Sequence, residues 1–275
     1  MRNCANILPK SFAMPVLCIA NQKGGVGKTT TAVALAEGLS EYGKRVLLID
    51  WDPQACLTIT VGINPENLKS TVYDVLAGAI QNEGSPSLKD VILPTENPNI
   101  NIVPSNIELS QAQLDLVGVA SRELILRKML QPVRREYDFI LIDCLPSLGL
   151  LTINALSAAD KVIIPLQSDF LAMKGLMRLL STIIRVQEKI NPDLDISGIL
   201  FTMTSPRTLH CQEVMTVTRR AFGDRIRIFK AIIPSSVRFK EAPAAGKSIL
   251  TYAPSHDGAQ AYRLLTEEVM ENEKS

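Results

Sequence analysis

The segment at positions 21–30, Asn-Gln-Lys-Gly-Gly-Val-Gly-Lys-Thr-Thr, constrains this chain more than any other. It follows a short apolar run, 16–20, and leads into a stretch with helical periodicity, 28–41. Strand, glycine-rich loop and helix in that order form a phosphate cradle. Glycines let backbone N–H groups turn inward around an anion, and the helix N-terminus adds a favourable partial charge. Lys28 can then reach the β- and γ-phosphates of a nucleotide, and the Thr29 hydroxyl can hold Mg²⁺. The common form of this loop places its first glycine six positions before the lysine. Gln22 stands there, and a second lysine, Lys23, opens the glycine run.

The rest of the chain fits an α/β protein of the P-loop type, a mostly parallel central sheet with helices on both faces. Apolar runs at 16–20, 45–50, 100–103, 139–143, 162–165, 196–201 and 228–233 read as strands. Several have no polar alternation, as expected of strands buried on both faces. Helical stretches are expected at 28–41, 71–77, 122–136, 150–158, 170–190, 210–222 and 258–271. The Pro-, Asn-, Ser- and Gly-rich segment 78–99 reads as a surface excursion. Residues 1–13 are expected to be a flexible extension, with Met14 a second candidate start, and 14–275 one domain. The Leu-, Ile- and Met-rich stretch 170–184 reads as core and dimer packing.

Composition excludes several classes. The 275 residues carry a formal net charge of +1, so nucleic-acid or membrane binding would need a local patch. No apolar run reaches the length of a membrane span. The cysteines, at 4, 18, 56, 144 and 211, form no CxxC pair. A scattered, odd set fits a reducing cytosol. His210 and His256 stand alone and read as surface or capping residues.

Four motifs in order carry a family resemblance. Lys23-Gly24-Gly25-Val26-Gly27-Lys28-Thr29-Thr30 resembles the deviant phosphate loop of the ParA/MinD/NifH class of ATPases. Asp50-Trp51-Asp52-Pro53-Gln54 is similar to the family's DxDPQ element. Asp143-Cys144-Leu145-Pro146-Ser147-Leu148-Gly149 is similar to its DxPPSLG element, with Leu145 in place of a proline. Ile233-Pro234 through Val237-Arg238 and Glu241-Ala242-Pro243 resembles its IPxxVRxxEAP stretch. The nearest branch is ParA/Soj, the DNA-partition ATPases.

That resemblance implies ATP and Mg²⁺ as ligands and ATP hydrolysis as the activity. It makes Gly24 to Thr30 the phosphate cradle and places Pro234 near adenine. Thr29, Asp50 and Asp143 are implied to hold Mg²⁺, the acids through water. Asp52 is implied to position the attacking water, beside Lys28. Lys23 is implied to reach the nucleotide of a second subunit, so that ATP drives formation of a homodimer. Family position also makes Arg207 and Arg238 contacts to double-stranded DNA, with Arg219, Arg220 and Lys240 as further candidates.

Charge distribution agrees with a DNA-binding patch. Positions 201–263 hold ten Lys or Arg and four Asp or Glu, a surplus of six in a chain of net +1. Phosphate contacts without base readout would give sequence-independent, salt-sensitive binding. Ser235 stands where many relatives carry another arginine. The C-terminal stretch 262–275 is acidic, which disfavours a membrane anchor. The expected setting is therefore cytoplasmic and nucleoid-associated, with a ParB-like or other cargo adaptor stimulating hydrolysis. Two alternatives use the same loop: positioning a non-DNA cargo, such as a protein complex or organelle, on the nucleoid, and a redox enzyme with a cluster shared between subunits.

Overall fold

The computed structural model describes residues 14–81, 86–205 and 208–273. The expected extension at 1–13 and Arg207 lie outside them. Eight strands form one sheet: β1 (Val16–Ile19), β2 (Val46–Trp51), β3 (Leu93–Pro94), β4 (Ile100–Val103), β5 (Phe139–Cys144), β6 (Lys161–Gln167), β7 (Asp195–Thr204) and β8 (Ile228–Pro234). The order is β3-β4-β2-β5-β1-β6-β7-β8, parallel throughout except for the β3–β4 pair. The chain starts at a central strand, builds outward on one side, and then builds the other. Its reversal point is beside β1, and the carboxyl ends of parallel strands at such a point form a ligand crevice.

Strand residues alternate between two apolar clusters, one per face. Val16, Cys18, Leu47, Ile49, Ile140 and Ile142 pack on one face, and Leu17, Ile19, Val46, Leu48, Phe139 and Leu141 on the other. Eleven α-helical segments surround the sheet among the described residues: α1 (Lys28–Glu41), α2 (Cys56–Thr60), α3 (Val72–Gln81), α4 (Ala112–Asp115), α5 (Ile125–Leu130), α6 (Leu150–Ala158), α7 (Phe170–Lys189), α8 (Leu209–Phe222), α9 (Arg238–Ala244), α10 (Ile249–Tyr252) and α11 (Asp257–Asn272). Helices α3 to α8 contribute to the first cluster; α1, α2, α10 and α11 contribute to the second, with Phe239 of α9 packed against it.

The expected helix at 122–136 is divided. Its centre is α5, flanked by 3₁₀ turns Arg122–Leu124 and Arg134–Glu136. Gln131 keeps helical angles, φ −53° and ψ −44°, but Pro132 has no N–H to continue the ladder. Asn154 of α6 satisfies the backbone at the other end, accepting from Leu126 N–H and donating to the Arg122 carbonyl. Pattern reading also missed β3 and the short helices α2, α4, α9 and α10, which are too short for periodicity to register.

Helices α1 and α11 approach closely at Gly38, where a Cβ would collide with the Thr266 hydroxyl. Alanine favours a helix over glycine by about 1 kcal/mol, whereas overpacking costs about 1–3 kcal/mol. Gly38→Ala should therefore destabilise the fold in urea unfolding, and adding Thr266→Ala should recover part of the loss. Stabilisation by Gly38→Ala alone would contradict this packing.

Candidate nucleotide-binding site

The glycine loop joins β1 to α1 at the carboxyl edge of the sheet. Gly25 and Gly27 have φ of 69° and 83°, which L side chains rarely adopt. Gly27 is the N-cap of α1, with no side-chain cap and no acid in the first turn. The first N–H groups of a 14-residue helix thus point to the loop without a competing acceptor from the cap. Side chains from three elements fix the loop. The Asn21 amide donates to the Pro165 carbonyl, the Thr202 hydroxyl to the Val26 carbonyl, and the Thr31 hydroxyl to the Gly27 carbonyl. The Tyr262 hydroxyl of α11 lies 3.1 Å from that of Thr31, and burial pushes this phenol well up.

Lys28 and Thr29 occupy the first turn of α1. The Lys28 amine is buried and lies 3.4 Å from the Lys23 carbonyl, across the loop. The Thr29 hydroxyl donates to Asp143 Oδ2 at 2.6 Å. Asp143 Oδ1 is buried without a hydrogen-bond partner. An unpaired carboxylate oxygen beside a threonine hydroxyl and a lysine is a donor set that fits a hydrated Mg²⁺ next to phosphates. Burial pushes the Asp143 carboxyl up to about 8, with the neighbouring Asp50 adding to the shift and Thr29 and Lys28 opposing it.

Asp50 and Asp143 face each other in register on β2 and β5. Burial also raises Asp50, to about 7. Its oxygens are occupied: Oδ2 accepts from both the N–H and the hydroxyl of Thr58, and Oδ1 from Asp52 N–H at 3.3 Å. Through Thr58, Asp50 braces α2 against β2, and its expected role toward the cation, through water, would fall to Oδ1. Asp52, two residues on, is only partly buried and faces the crevice.

The crevice has an accessible volume of about 510 Å³. Gly24, Gly25, Gly27, Lys28, Thr29, Thr30 and Asp52 line it, as expected. Gln54, Cys56, Ile59, Thr60, Pro146, Met203 and Pro243 line it as well, and were not foreseen. Pro234 is not among the lining residues; Pro243, from the same sequence stretch, is. Met203 has φ of 50° in a non-glycine residue, a strained backbone at the rim of a ligand crevice. Nothing in the local sequence signals that strain.

Lys23 takes a different direction from Lys28. Its amine pairs with Asp169, which also caps α7 by accepting from Ala172 N–H. The basic residues divide too. Arg219 and Arg220 sit in the last turn of α8, and Arg238 and Lys240 in α9, all exposed. Helix α8 follows β7, and its Thr218 hydroxyl meets Met173 in the first turn of α7. Helix α9 follows the carboxyl end of β8 and lies near the crevice, with Pro243 in the lining. The expected basic residues are thus carried by two helices, α8 and α9. Three of the ten cations counted along the chain are also ion-paired: Arg227 to Glu268, Arg238 to Glu241 and Arg263 to Glu41. Arg219 lies over the Phe201 ring, 5.6 Å from its centroid. Among the described residues no helix is long and apolar enough to cross a membrane.

A family model described as an AAA domain matches residues 14–196. The chain is 44% identical over 254 residues to the chromosome-partitioning ATPase Soj of Treponema pallidum, covering 92% of this chain and 96% of that protein. It is 42% identical over 261 residues to the chromosome partitioning protein ParA of Caulobacter vibrioides, covering 94% and 95%. A crystal structure of cobyrinic acid a,c-diamide synthase from Mycobacterium smegmatis, with bound ADP and magnesium, superposes with a TM-score of 0.81. It shares 36% identity and covers 95% of this chain and 96% of its own. A phosphate loop at the central strand of a parallel sheet, together with these relatives across nearly the whole chain, makes it a member of the ParA/MinD family of P-loop ATPases.

Proposed function

We propose that this protein is a Mg²⁺-dependent ATPase whose ATP-bound form pairs with a second copy, binds double-stranded DNA without sequence readout, and segregates or positions chromosomal or plasmid DNA. The observation that carries this reading is the divergence of the two loop lysines. Lys28 closes over the phosphate loop, while Lys23 is turned to Asp169 and does not line the crevice. A lysine spared from its own nucleotide is available to a second subunit's. The names of the Soj and ParA relatives support the partition role. From the M. smegmatis neighbour only the bound nucleotide and magnesium bear on this chain.

In this proposal the backbone N–H groups of 24–30 cradle the phosphates, and Lys28 lies along the β- and γ-oxygens. Thr29 and Asp143 would hold Mg²⁺, which when bound offsets phosphate charge. Asp52, at the crevice and carrying no buried hydrogen-bond commitment of its own, orients the attacking water. Lys23, released from Asp169, meets charge developing on the partner's nucleotide. A ParB-like or other adaptor would accelerate the step. The described chain would act in the cytoplasm, on the nucleoid. Near the crevice, Arg238 and Lys240 can respond to nucleotide; Arg219 and Arg220 form a second candidate DNA group on α8.

Two measurements test this. Binding of random-sequence DNA should appear with ATP and Mg²⁺, fall steeply with salt, and be lost with ADP. Lys240→Glu should weaken it by roughly tenfold, an order of magnitude for losing a phosphate contact and adding repulsion; Arg219→Glu/Arg220→Glu tests the α8 group separately. Equal binding without nucleotide would remove the gating. The second concerns Asp143. Its folded pKa lies above the unfolded value, so ionisation favours the unfolded chain as pH rises. In EDTA the wild type should lose stability between about pH 4 and pH 8, and Asp143→Asn should lose less, by on the order of 5 kcal/mol. The same substitution should weaken Mg²⁺-dependent nucleotide binding. Identical pH slopes for the two proteins would contradict the buried-acid account.

A further inference from the structure

Helix α7 carries a surface that neither the core nor the nucleotide crevice uses. Its Leu176, Leu179, Ile183 and Val186 are buried in the first cluster. Met177 and Ile184 are not: they are 54% and 51% exposed. They stand seven residues apart, two helical turns, and so lie nearly in line along the solvent side. Beside them run Lys174, Arg178, Arg185 and Lys189, all exposed. Spacings of four, seven and four place these cations within about 60° of the helix circumference, in a row about 22 Å long. Glu188 is the sole acid in α7, leaving the helix with a net charge of +3.

The row differs from other cations of the molecule. Arg45, Lys89, Arg122, Arg134, Lys161, Arg227, Arg238 and Arg263 each have an acidic partner within 4.0 Å. None of the four on α7 has an ion pair among the described residues. A row of unpaired cations alone would suit any polyanion. An apolar pair at two-turn spacing beside that row does not suit phosphates, because DNA offers the methionine and isoleucine nothing to bury against. It suits the i, i+7 ridge of another helix that is acidic along one flank.

We infer that the exposed face of α7 is a docking surface for an acidic amphipathic helix of a partner protein, with Met177 and Ile184 as apolar anchors and Lys174, Arg178, Arg185 and Lys189 as the complementary charge row. This goes beyond the proposed DNA role and does not depend on it. Such a partner would associate quickly at low salt and more slowly at high salt, since its charges steer the encounter, while the apolar pair sets its lifetime.

The test uses the full chain and a fluorescein-labelled synthetic helix of about 20 residues, the length of α7. The helix carries Leu at two-turn spacing and Glu along one flank. Its control has the same composition in scrambled order. Anisotropy should show saturable binding of the amphipathic helix, at least about tenfold tighter than the scrambled one. Met177→Ser/Ile184→Ser and Arg178→Glu/Arg185→Glu should each weaken it by about tenfold or more, with circular dichroism and ATP binding unchanged. Equal binding of the scrambled peptide, or no binding at about 100 µM, overturns the inference. So does loss of duplex DNA binding, of anionic-vesicle binding or of ATP-driven self-association in these variants without peptide binding by the wild type. Those results would assign the face to nucleic acid, to a membrane surface or to a second copy.

Discussion

Two carboxylates face each other at the carboxyl edge of the sheet, and the rest of the site is arranged around what can neutralise them. Asp50 and Asp143 are in register on adjacent central strands, and both are buried. Burial raises both, and Asp50 adds to the cost of ionising Asp143. The two are resolved differently. Thr58 occupies Asp50 Oδ2 with two donors and ties it to α2. Asp143 keeps one oxygen unpaired beside Thr29 and Lys28. A cation brought with phosphates completes that second arrangement, so ligand binding and relief of a buried acid are coupled.

The same coupling explains how firmly the loop is held. Its backbone is tied to β6 through Asn21, to β7 through Thr202 and, by way of Thr31 and Tyr262, to α11. A cradle of N–H groups binds an anion well only if the groups are already in place, because orienting them on binding costs conformational entropy. Lys23 is the loop residue whose side chain points elsewhere, to an ion pair at the start of α7. An exposed ion pair of this kind is worth little. It can be exchanged for a stronger electrostatic partner, which is what a switch at a subunit interface requires.

Much of this was legible in the residues. The strands buried on both faces, the loop, and the acids at 52 and 143 are set by local pattern, and they sit where the pattern places them. What was not legible depends on contacts remote in sequence. Nothing near Asp50 indicates that Thr58 will occupy its Oδ2. Choosing between Pro234 and Pro243 needs the path of the chain after β8. A charge count along 201–263 cannot register that Arg227 and Arg263 are paired to α11 and α1, or that Arg219 lies over the Phe201 ring. Periodicity in 170–184 suggests core packing throughout; only the packing angle of α7 leaves Met177 and Ile184 in solvent.

The central claim is that Lys23 converts bound ATP into association of two subunits. Sedimentation of the Asp52→Ala protein, which would hold ATP without turnover, tests it most directly. A species of twice the monomer mass should form with ATP and Mg²⁺ and be absent with ADP. Adding Lys23→Ala should return it to the monomer while ATP binding persists. Nucleotide-independent mass, or a dimer that survives Lys23→Ala, would contradict the account.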